Sequence, residues 1–171
     1  MAERGAGGRG EEAMEALVRL PGRDAVLAVL VAGDEYGLPV ARVGEVLRVP
    51  TLTRVPVADP EIRGVVSIRG EVVTVVDMGV RLRAIAVDET LPAARLVTVT
   101  AGEPLALLVD GVVGLVDLRG TAMEPAPAEA EAGLPPGLVR GIVALEEGRR
   151  VALLDLERVV QPGEPENGSG R

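Results

Sequence analysis

Short apolar stretches separated by turn residues recur along the chain between residues 26 and 154. Four pairs of these stretches each enclose a short segment that contains glycine. The pairs are 26–31 with 36–40, 64–68 with 72–76, 96–100 with 105–109, and 139–145 with 151–154. Such pairs predict strands joined as hairpins. Because no helical segments alternate with the strands, the pattern favours closed antiparallel β-barrels over a doubly wound sheet.

The chain also contains an internal repeat. Shifting the sequence by 69 positions places residues 30–34 on residues 99–103, and shifting it by 77 places residues 64–66 on residues 141–143. Each repeat consists of a predicted hairpin, a short bridge, a second hairpin and a terminal aspartate. Repeats of this kind predict two similar small β subdomains that share a core. Whether the subdomains exchange strands stays open at this point.

Segments poor in large apolar residues lie outside this pattern. Residues 1–22 are predicted to be a mostly disordered tail, within which residues 11–20 have the spacing of a short amphipathic helix. Residues 162–171 are predicted to be a second disordered tail. The folded domain is therefore expected to cover residues 23–161, with a solvated loop rich in Pro, Ala and Glu at 120–138.

Composition supports the β prediction and limits the partners. The chain has 29 Val but no Phe or Trp, and valine packs well in strands. The net charge is −8, and all 18 basic residues are Arg, so nucleic acid and anionic membrane surfaces are disfavoured as partners. We expect a cytoplasmic protein, because there is neither a membrane-spanning apolar run nor an apolar signal-peptide core.

The side chains used most often in catalysis are absent. The chain has no His, Cys or Lys, and its serines are Ser67 and Ser169. A Ser-His-Asp site is therefore impossible, and thiol catalysis, disulfides and thiolate metal sites are excluded. Almost no aromatic surface is present to bind a sugar. We therefore predict a non-catalytic protein without a cofactor.

Three aspartates, Asp77, Asp110 and Asp155, each end an apolar strand segment. Equivalent acids at strand ends could bind a divalent ion, which leaves a carboxylate- or metal-dependent enzyme as an alternative function. A carboxylate that caps the following helix or turn is much commoner. We therefore predict that these aspartates are caps.

Several motifs, in a fixed order and spacing, resemble the CheW-like family over residues 23–160. They are Gly-Asp-Glu-Tyr-Gly-Leu-Pro-Val at 33–40, Val-Gly-Glu-Val-Leu at 43–47, Val-Pro at 55–56, Ile-Arg-Gly-Val-Val-Ser-Ile-Arg-Gly at 62–70, Val-Val-Thr-Val-Val-Asp-Met at 72–78, and Leu-Val-Asp-Gly-Val at 108–112. The family usually has Asn in place of Ser67 and Phe in its first strand. Neither departure changes the Arg-Gly turn at residues 69–70.

The resemblance implies an all-β fold of two interlocked small SH3-like β-barrel subdomains with short connecting helices. It implies a non-catalytic chemotaxis adaptor that couples chemoreceptors to the histidine kinase CheA in signalling arrays. Its partners would be the regulatory domain of the kinase and the cytoplasmic tip of the receptor. The protein would lie at membrane-associated arrays through these partners, without direct membrane insertion. A CheW-like scaffold of a non-taxis kinase pathway, such as surface motility, is an alternative.

The resemblance also implies two binding surfaces. The predicted receptor-binding groove, between the subdomains, consists of Val40, Val43, Glu45, Val46, Gly64 and Arg69. The predicted kinase-binding residues, in the second subdomain, are Leu105, Leu107, Val109, Val112 and Leu115.

Arg69 lies at a predicted hairpin tip, where its guanidinium is expected to pair with a carboxylate on a partner or on Glu45. Glu45 lies in the predicted bridge at residues 41–48. It is either an ordinary exposed helical acid or a semi-buried acid that holds Arg69.

Overall fold

The structure, a computed structural model, describes residues 25–57, 59–125 and 133–161. The predicted tails at 1–22 and 162–171 lie outside the described residues. The same holds for the predicted amphipathic segment and for the middle of the predicted Pro-rich loop.

Within these ranges the chain is mostly β. Its strands are β1 (Ala25–Val31), β2 (Asp34–Pro39), β3 (Val43–Arg48), β4 (Ile62–Ile68), β5 (Glu71–Asp77), β6 (Arg95–Ala101), β7 (Glu103–Val109), β8 (Gly111–Asp117), β9 (Met123–Glu124), β10 (Val139–Ala144) and β11 (Arg150–Leu154). Its α-helices are α1 (Met78–Arg83) and α2 (Leu156–Val160), and its 3-10 helices are Val40–Arg42 and Glu146–Gly148. No helix in the described part is long and apolar enough to cross a membrane.

All four predicted hairpins are confirmed, as β1–β2, β4–β5, β6–β7 and β10–β11. In the β1–β2 turn, Ala32 and Gly33 have φ angles of 50° and 86°. In the β4–β5 turn, Arg69 and Gly70 have φ angles of 52° and 82°. Two successive positive φ angles are typical of the type I′ turn, whose twist matches that of the strands it joins. The turn chemistry therefore places Arg69 at a hairpin tip, as predicted.

The strands form two sheets that exchange strands between the repeats. Sheet 1 has the order β8-β1-β2-β11-β10-β9, and sheet 2 has the order β3-β6-β7-β5-β4. The strand that follows the first hairpin of each repeat leaves that hairpin and pairs with the other repeat, β3 with β6 and β8 with β1. The interlocked two-subdomain fold is confirmed, and the question of strand exchange is answered.

The strand pairing corrects three details of the sequence prediction. The bridge at residues 41–48 is mainly a strand, β3. The segment that holds the predicted kinase-binding residues is divided, because β7 belongs to sheet 2 and β8 to sheet 1. The sheets are also mixed rather than purely antiparallel, since β11 pairs parallel with β2 and β5 pairs parallel with β7.

The largest apolar core lies between the two sheets. It includes Leu27 and Tyr36 from sheet 1 and Val97 and Leu107 from sheet 2. Among the described residues, a separate cluster in sheet 1 has three buried members, Val26, Ala28 and Val116. Because the main core needs side chains from both sheets, we expect the two barrels to unfold as one unit.

Two arginines of α1 make polar contacts across the junction between the barrels. Arg83 Nε donates to the Tyr36 hydroxyl at 3.3 Å, and Arg83 Nη2 lies 3.3 Å from a carboxylate oxygen of Asp34. Burial raises the pKa of the Tyr36 hydroxyl, and the hydrogen bond from Arg83 partly opposes this rise. The buried Arg81 donates to the Val159 carbonyl of α2 at 3.0 Å, which satisfies a helix-end acceptor. Together these contacts fix the relative orientation of the barrels.

The three strand-ending aspartates accept backbone hydrogen bonds. Asp77 and Asp155 precede α1 and α2, and each accepts from the amide three residues further on, at 3.1 and 3.3 Å. Asp110 accepts from the amide of Ala32, in the β1–β2 turn, at 2.7 Å. The capping prediction is therefore confirmed for Asp77 and Asp155, whereas Asp110 binds a turn that is distant in sequence instead of the segment that follows it. In the described ranges, no group of three or more acidic side chains is placed to hold a metal ion.

Gly64 lies where β4 meets the segment that precedes it. Thr53 forms an isolated antiparallel bridge with Val65, with N–O distances of 2.9 and 2.8 Å. A Cβ atom on Gly64 would lie 2.3 Å from the Thr53 carbonyl oxygen, and the φ angle is 153°. Close backbone packing thus requires glycine here.

We expect Gly64→Ala to lower the free energy of unfolding by about 1–3 kcal/mol, because the backbone must shift to admit the methyl group. Gly111→Ala is the matched control, since its Cβ would meet its nearest neighbour at an ordinary 3.6 Å. Urea unfolding followed by circular dichroism measures both changes. Equal losses in the two variants would contradict the packing argument.

Candidate functional site

A groove of about 410 Å³ opens on sheet 2 beside the β4–β5 turn. Its lining includes the buried side chains of Val73 and Val99 and the half-buried side chains of Ile68 and Leu105. We call this feature the sheet-2 groove. It combines apolar lining residues with a charged rim.

An ion pair between Glu45 and Arg69 lies on the rim. Glu45 Oε1 is 2.8 Å from Arg69 Nη2, and the side chains are 26% and 79% exposed, respectively. Of the two predicted environments for Glu45, the semi-buried acid that holds Arg69 is confirmed. Arg69 nevertheless keeps most of its surface open to a partner.

A bulge in β3 positions Glu45. The pairing of β3 with β6 shifts register between Val43 and Val46, so that Gly44 and Glu45 lie together opposite Thr98. The Glu45 amide donates to Thr98 Oγ1 at 2.7 Å. Bulges of this kind redirect a side chain out of the regular alternation of a strand.

Two further acids, Glu71 and Glu103, line the groove and were missed by the sequence analysis. Both are exposed, and neither forms an ion pair within the described part of the chain. With Glu45 they make three carboxylates against the single guanidinium of Arg69, so the lining carries a net charge of −2. Their turn positions were visible in the sequence, but their convergence depends on the order of the strands.

The other predicted receptor-groove residues do not line the sheet-2 groove. Val40 is buried, and Val43 and Val46 pack against the main core. Gly64 is buried beneath Thr53. All of the groove lining belongs to sheet 2, but it comes from both repeats, from β3 to β5 of the first and from β6 and β7 of the second.

The predicted kinase-binding residues are distributed over three environments. Leu107 and Val109 are fully buried in the main core, because β7 is a central strand of sheet 2, so their side chains are closed to a partner. Leu105 lines the sheet-2 groove. Val112 and Leu115 are half-buried on β8, at the edge of sheet 1.

The β8 edge differs from its counterpart β3 in charge. Between Asp110 and Asp117 it carries only glycine and apolar residues, whereas β3 carries Glu45 and Arg48. β8 pairs with β1 on one side and is the last strand of its sheet among the described residues. An uncharged edge of this kind is open to pairing or packing with another chain.

Residues 25–164 match the family model described as CheW-like domain. The chemotaxis protein CheW of Rhizobium meliloti (strain 1021) is 28% identical over 141 residues, which cover 82% of this chain and 90% of that protein. The chemotaxis protein CheW of Klebsiella aerogenes is 27% identical over 138 residues, which cover 81% of this chain and 82% of that protein.

The crystal structure of the scaffolding protein TtCheW from Thermoanaerobacter tengcongensis has the same fold. It matches with a TM-score of 0.71 at 22% identity, over 84% of this chain and 97% of that chain. The family model spans both sheets, the sheet-2 groove and the β8 edge. The chain therefore belongs to the CheW-like domain family.

Proposed function

We propose that this protein is a chemotaxis adaptor that couples chemoreceptors to the histidine kinase CheA in signalling arrays. Its membership of the CheW-like family carries the proposal. The family is consistent with a non-catalytic role, and the chain has no His, Cys or Lys to supply the usual catalytic chemistry. The protein acts by holding two partners in one geometry.

The receptor binds at the sheet-2 groove. An apolar lining rimmed by charge suits the amphipathic tip of a helical hairpin, which places apolar side chains in a groove and polar ones at its edge. Arg69 supports this assignment because its guanidinium is held in place by Glu45 yet remains largely exposed. The groove thus offers both apolar contact and a fixed cation.

The regulatory domain of the kinase binds at the β8 edge through Val112 and Leu115. These apolar side chains pack against the main core but are only half-buried, and β8 has a free edge in the described structure. Leu107 and Val109 are buried in the main core and do not contact the kinase. The receptor and the kinase then occupy different sheets and can bind at the same time.

The junction between the barrels relates the two surfaces. The main core and the contacts of Arg81 and Arg83 keep the groove and the β8 edge at a constant separation. A rigid adaptor can transmit the position of a receptor to a kinase without a conformational change of its own. The protein is recruited to membrane-associated arrays through these partners.

The coupling function is tested with the purified protein, a CheA-type kinase and receptors in membrane vesicles. We expect the protein to join a sedimenting ternary complex and to raise kinase autophosphorylation above that of kinase and receptor alone. A pull-down from native lysate should recover a CheA-type kinase and a receptor together. Recovery of a kinase without any chemoreceptor would contradict the taxis assignment.

The kinase surface gives a separate prediction. We expect Leu115→Ala to weaken binding of the regulatory domain about tenfold, as truncation of a central apolar contact does, while receptor binding is unchanged. Leu91→Ala is the control, because Leu91 is 53% exposed in the loop before β6. Thermal unfolding verifies that each variant is folded. Wild-type kinase affinity in a folded Leu115→Ala protein would exclude this surface.

A further inference from the structure

One guanidinium joins three parts of the fold beside the sheet-2 groove. Arg42 ends the 3-10 helix Val40–Arg42, and it donates from Nη1 to the Thr100 carbonyl at 3.1 Å and from Nη2 to Glu157 Oε1 at 2.7 Å. Thr100 lines the groove, Glu157 belongs to α2, and Arg42 itself lies outside the lining. We propose that Arg42 is a positioning residue, which holds the groove in its receptor-binding shape through Thr100. The proposal rests on the receptor site given above.

The part of the groove that Arg42 holds is the outer end of the β6–β7 hairpin. Most of the lining, residues 98–100 and 102–105, lies in this hairpin. β3 pairs with β6 only as far as Val43 opposite Val99, so Thr100 and the turn after it extend beyond that pairing. The Thr100 carbonyl accepts from the Arg42 side chain instead. This hydrogen bond therefore ties the end of the hairpin to the segment that begins β3.

The other end of the contact is firmly anchored. Leu156 and Val159 of α2 are buried in the main core. Arg81 of α1 donates to the Val159 carbonyl at 3.0 Å. Glu157 therefore projects from a fixed helix, and its charge-assisted hydrogen bond limits where the guanidinium of Arg42 can lie.

The end of β6 also positions the ion pair on the rim. The Glu45 amide donates to Thr98 Oγ1 at 2.7 Å, and Thr98 is two residues before Thr100. Glu45 in turn pairs with Arg69. A displacement of the β6 end would therefore move both the groove lining and the carboxylate that holds Arg69.

The chemistry of arginine suits this role. A guanidinium presents several N–H donors in a planar fork, so it can bond a carboxylate and a carbonyl at the same time. The Arg42 side chain is 41% exposed and that of Glu157 is 70% exposed. An exposed ion pair adds little to stability. Loss of this contact should therefore change the shape of the groove more than the stability of the fold.

The test compares protein variants for binding to a soluble cytoplasmic receptor fragment and to the regulatory domain of a CheA-type kinase. Arg42→Met removes every donor and keeps an unbranched side chain, and Glu157→Gln removes the carboxylate charge. We expect each change to lower receptor affinity about twofold to fivefold. The double variant should lose no more than Arg42→Met alone, because both changes break the same bridge. Kinase affinity should stay at the wild-type value.

Arg149→Met is the matched control. Arg149 pairs with Glu35 at 2.7 Å and its side chain is 42% exposed, so it resembles Arg42 in both respects, but it lies beside the β10–β11 turn of sheet 1. Urea unfolding verifies that every variant is folded. An equal loss of receptor affinity in Arg149→Met would indicate a general effect of charge and would overturn the inference.

The outcomes separate the inference from the function on which it rests. If Arg42→Met binds the receptor normally while Arg69→Glu abolishes binding, the groove stands and the positioning role is wrong. If Arg69→Glu also binds normally, the groove assignment itself fails and the inference fails with it.

The remaining outcomes distinguish positioning from other roles of Arg42. A loss in Arg42→Met with wild-type affinity in Glu157→Gln would mean that Arg42 contacts the receptor directly, and would overturn the inference. Equal losses of receptor and kinase affinity would mean that the whole fold is loosened, and would overturn it as well. A loss that is confined to the receptor, shared by both variants and not additive supports it.

Discussion

Replacing Arg69 with glutamate is expected to abolish receptor coupling while leaving the fold intact. The guanidinium lies at a hairpin tip on the rim of the sheet-2 groove, 79% exposed. A reversed charge at a binding groove places like charges together, which can cost several kcal/mol of binding free energy. Receptor-dependent kinase activation, measured with purified components, should fall to the level without adaptor.

The fold should tolerate this change. Arg69 has a φ angle of 52°, and arginine and glutamate meet the same backbone strain there. Losing the exposed ion pair with Glu45 and placing two carboxylates together should cost about 1 kcal/mol of stability. The core of both barrels is untouched, so urea unfolding should remain a single transition.

A charge exchange separates the two roles of Arg69. In the protein with Arg69→Glu and Glu45→Arg, the ion pair is restored in reverse. Restored coupling would mean that the pair acts internally, and continued loss would mean that Arg69 meets the receptor directly. Arg149→Glu is the control for the loss of an ion pair outside the groove. Arg149 pairs with Glu35 at 2.7 Å, beside the β10–β11 turn of sheet 1. Wild-type activation by the single Arg69→Glu protein would refute the groove assignment.

Replacing Asp77 with alanine is expected to lower the free energy of unfolding by about 3–5 kcal/mol, the usual cost of breaking a buried ion pair. Asp77 is fully buried. Its carboxylate forms an ion pair with Arg63 and accepts from the amides of Val80 and Val87, at 3.1 Å and at 3.2–3.3 Å. Alanine would leave a mostly buried guanidinium and two amides without this acceptor.

The second repeat supplies the matched control. Asp155 caps α2 as Asp77 caps α1, but its side chain is 30% exposed and its nearest guanidinium contact, to Arg158, is 3.9 Å. Asp155→Ala should therefore cost about 0.5–2 kcal/mol, as expected for loss of a helix cap. Urea unfolding measures both variants, and Asp77→Asn tests whether the acceptor oxygen alone suffices. Equal costs at the two positions would show that burial of Asp77 adds nothing.

The sequence by itself determined the features that depend on short segments. Glycine-containing turns between valine-rich stretches predicted all four hairpins and placed Arg69 at a tip. The aspartate caps at Asp77 and Asp155 were likewise predictable, because a cap bonds an amide only three residues away. The internal repeat and the ordered motifs identified two related subdomains and the family.

The tertiary structure alone decided which distant strands became neighbours. β3 and β8 pair with the opposite repeat, and this exchange separates Val112 and Leu115 from Leu107. The parallel contact of β5 with β7 places the strand starts at Glu71 and Glu103 side by side, although they are far apart along the chain. Such pairings depend on burial of the main core as a whole. The residues of one strand therefore do not indicate which distant strand lies beside it in the sheet. The groove and its acidic rim therefore arise only when the distant strands of sheet 2 pair with one another.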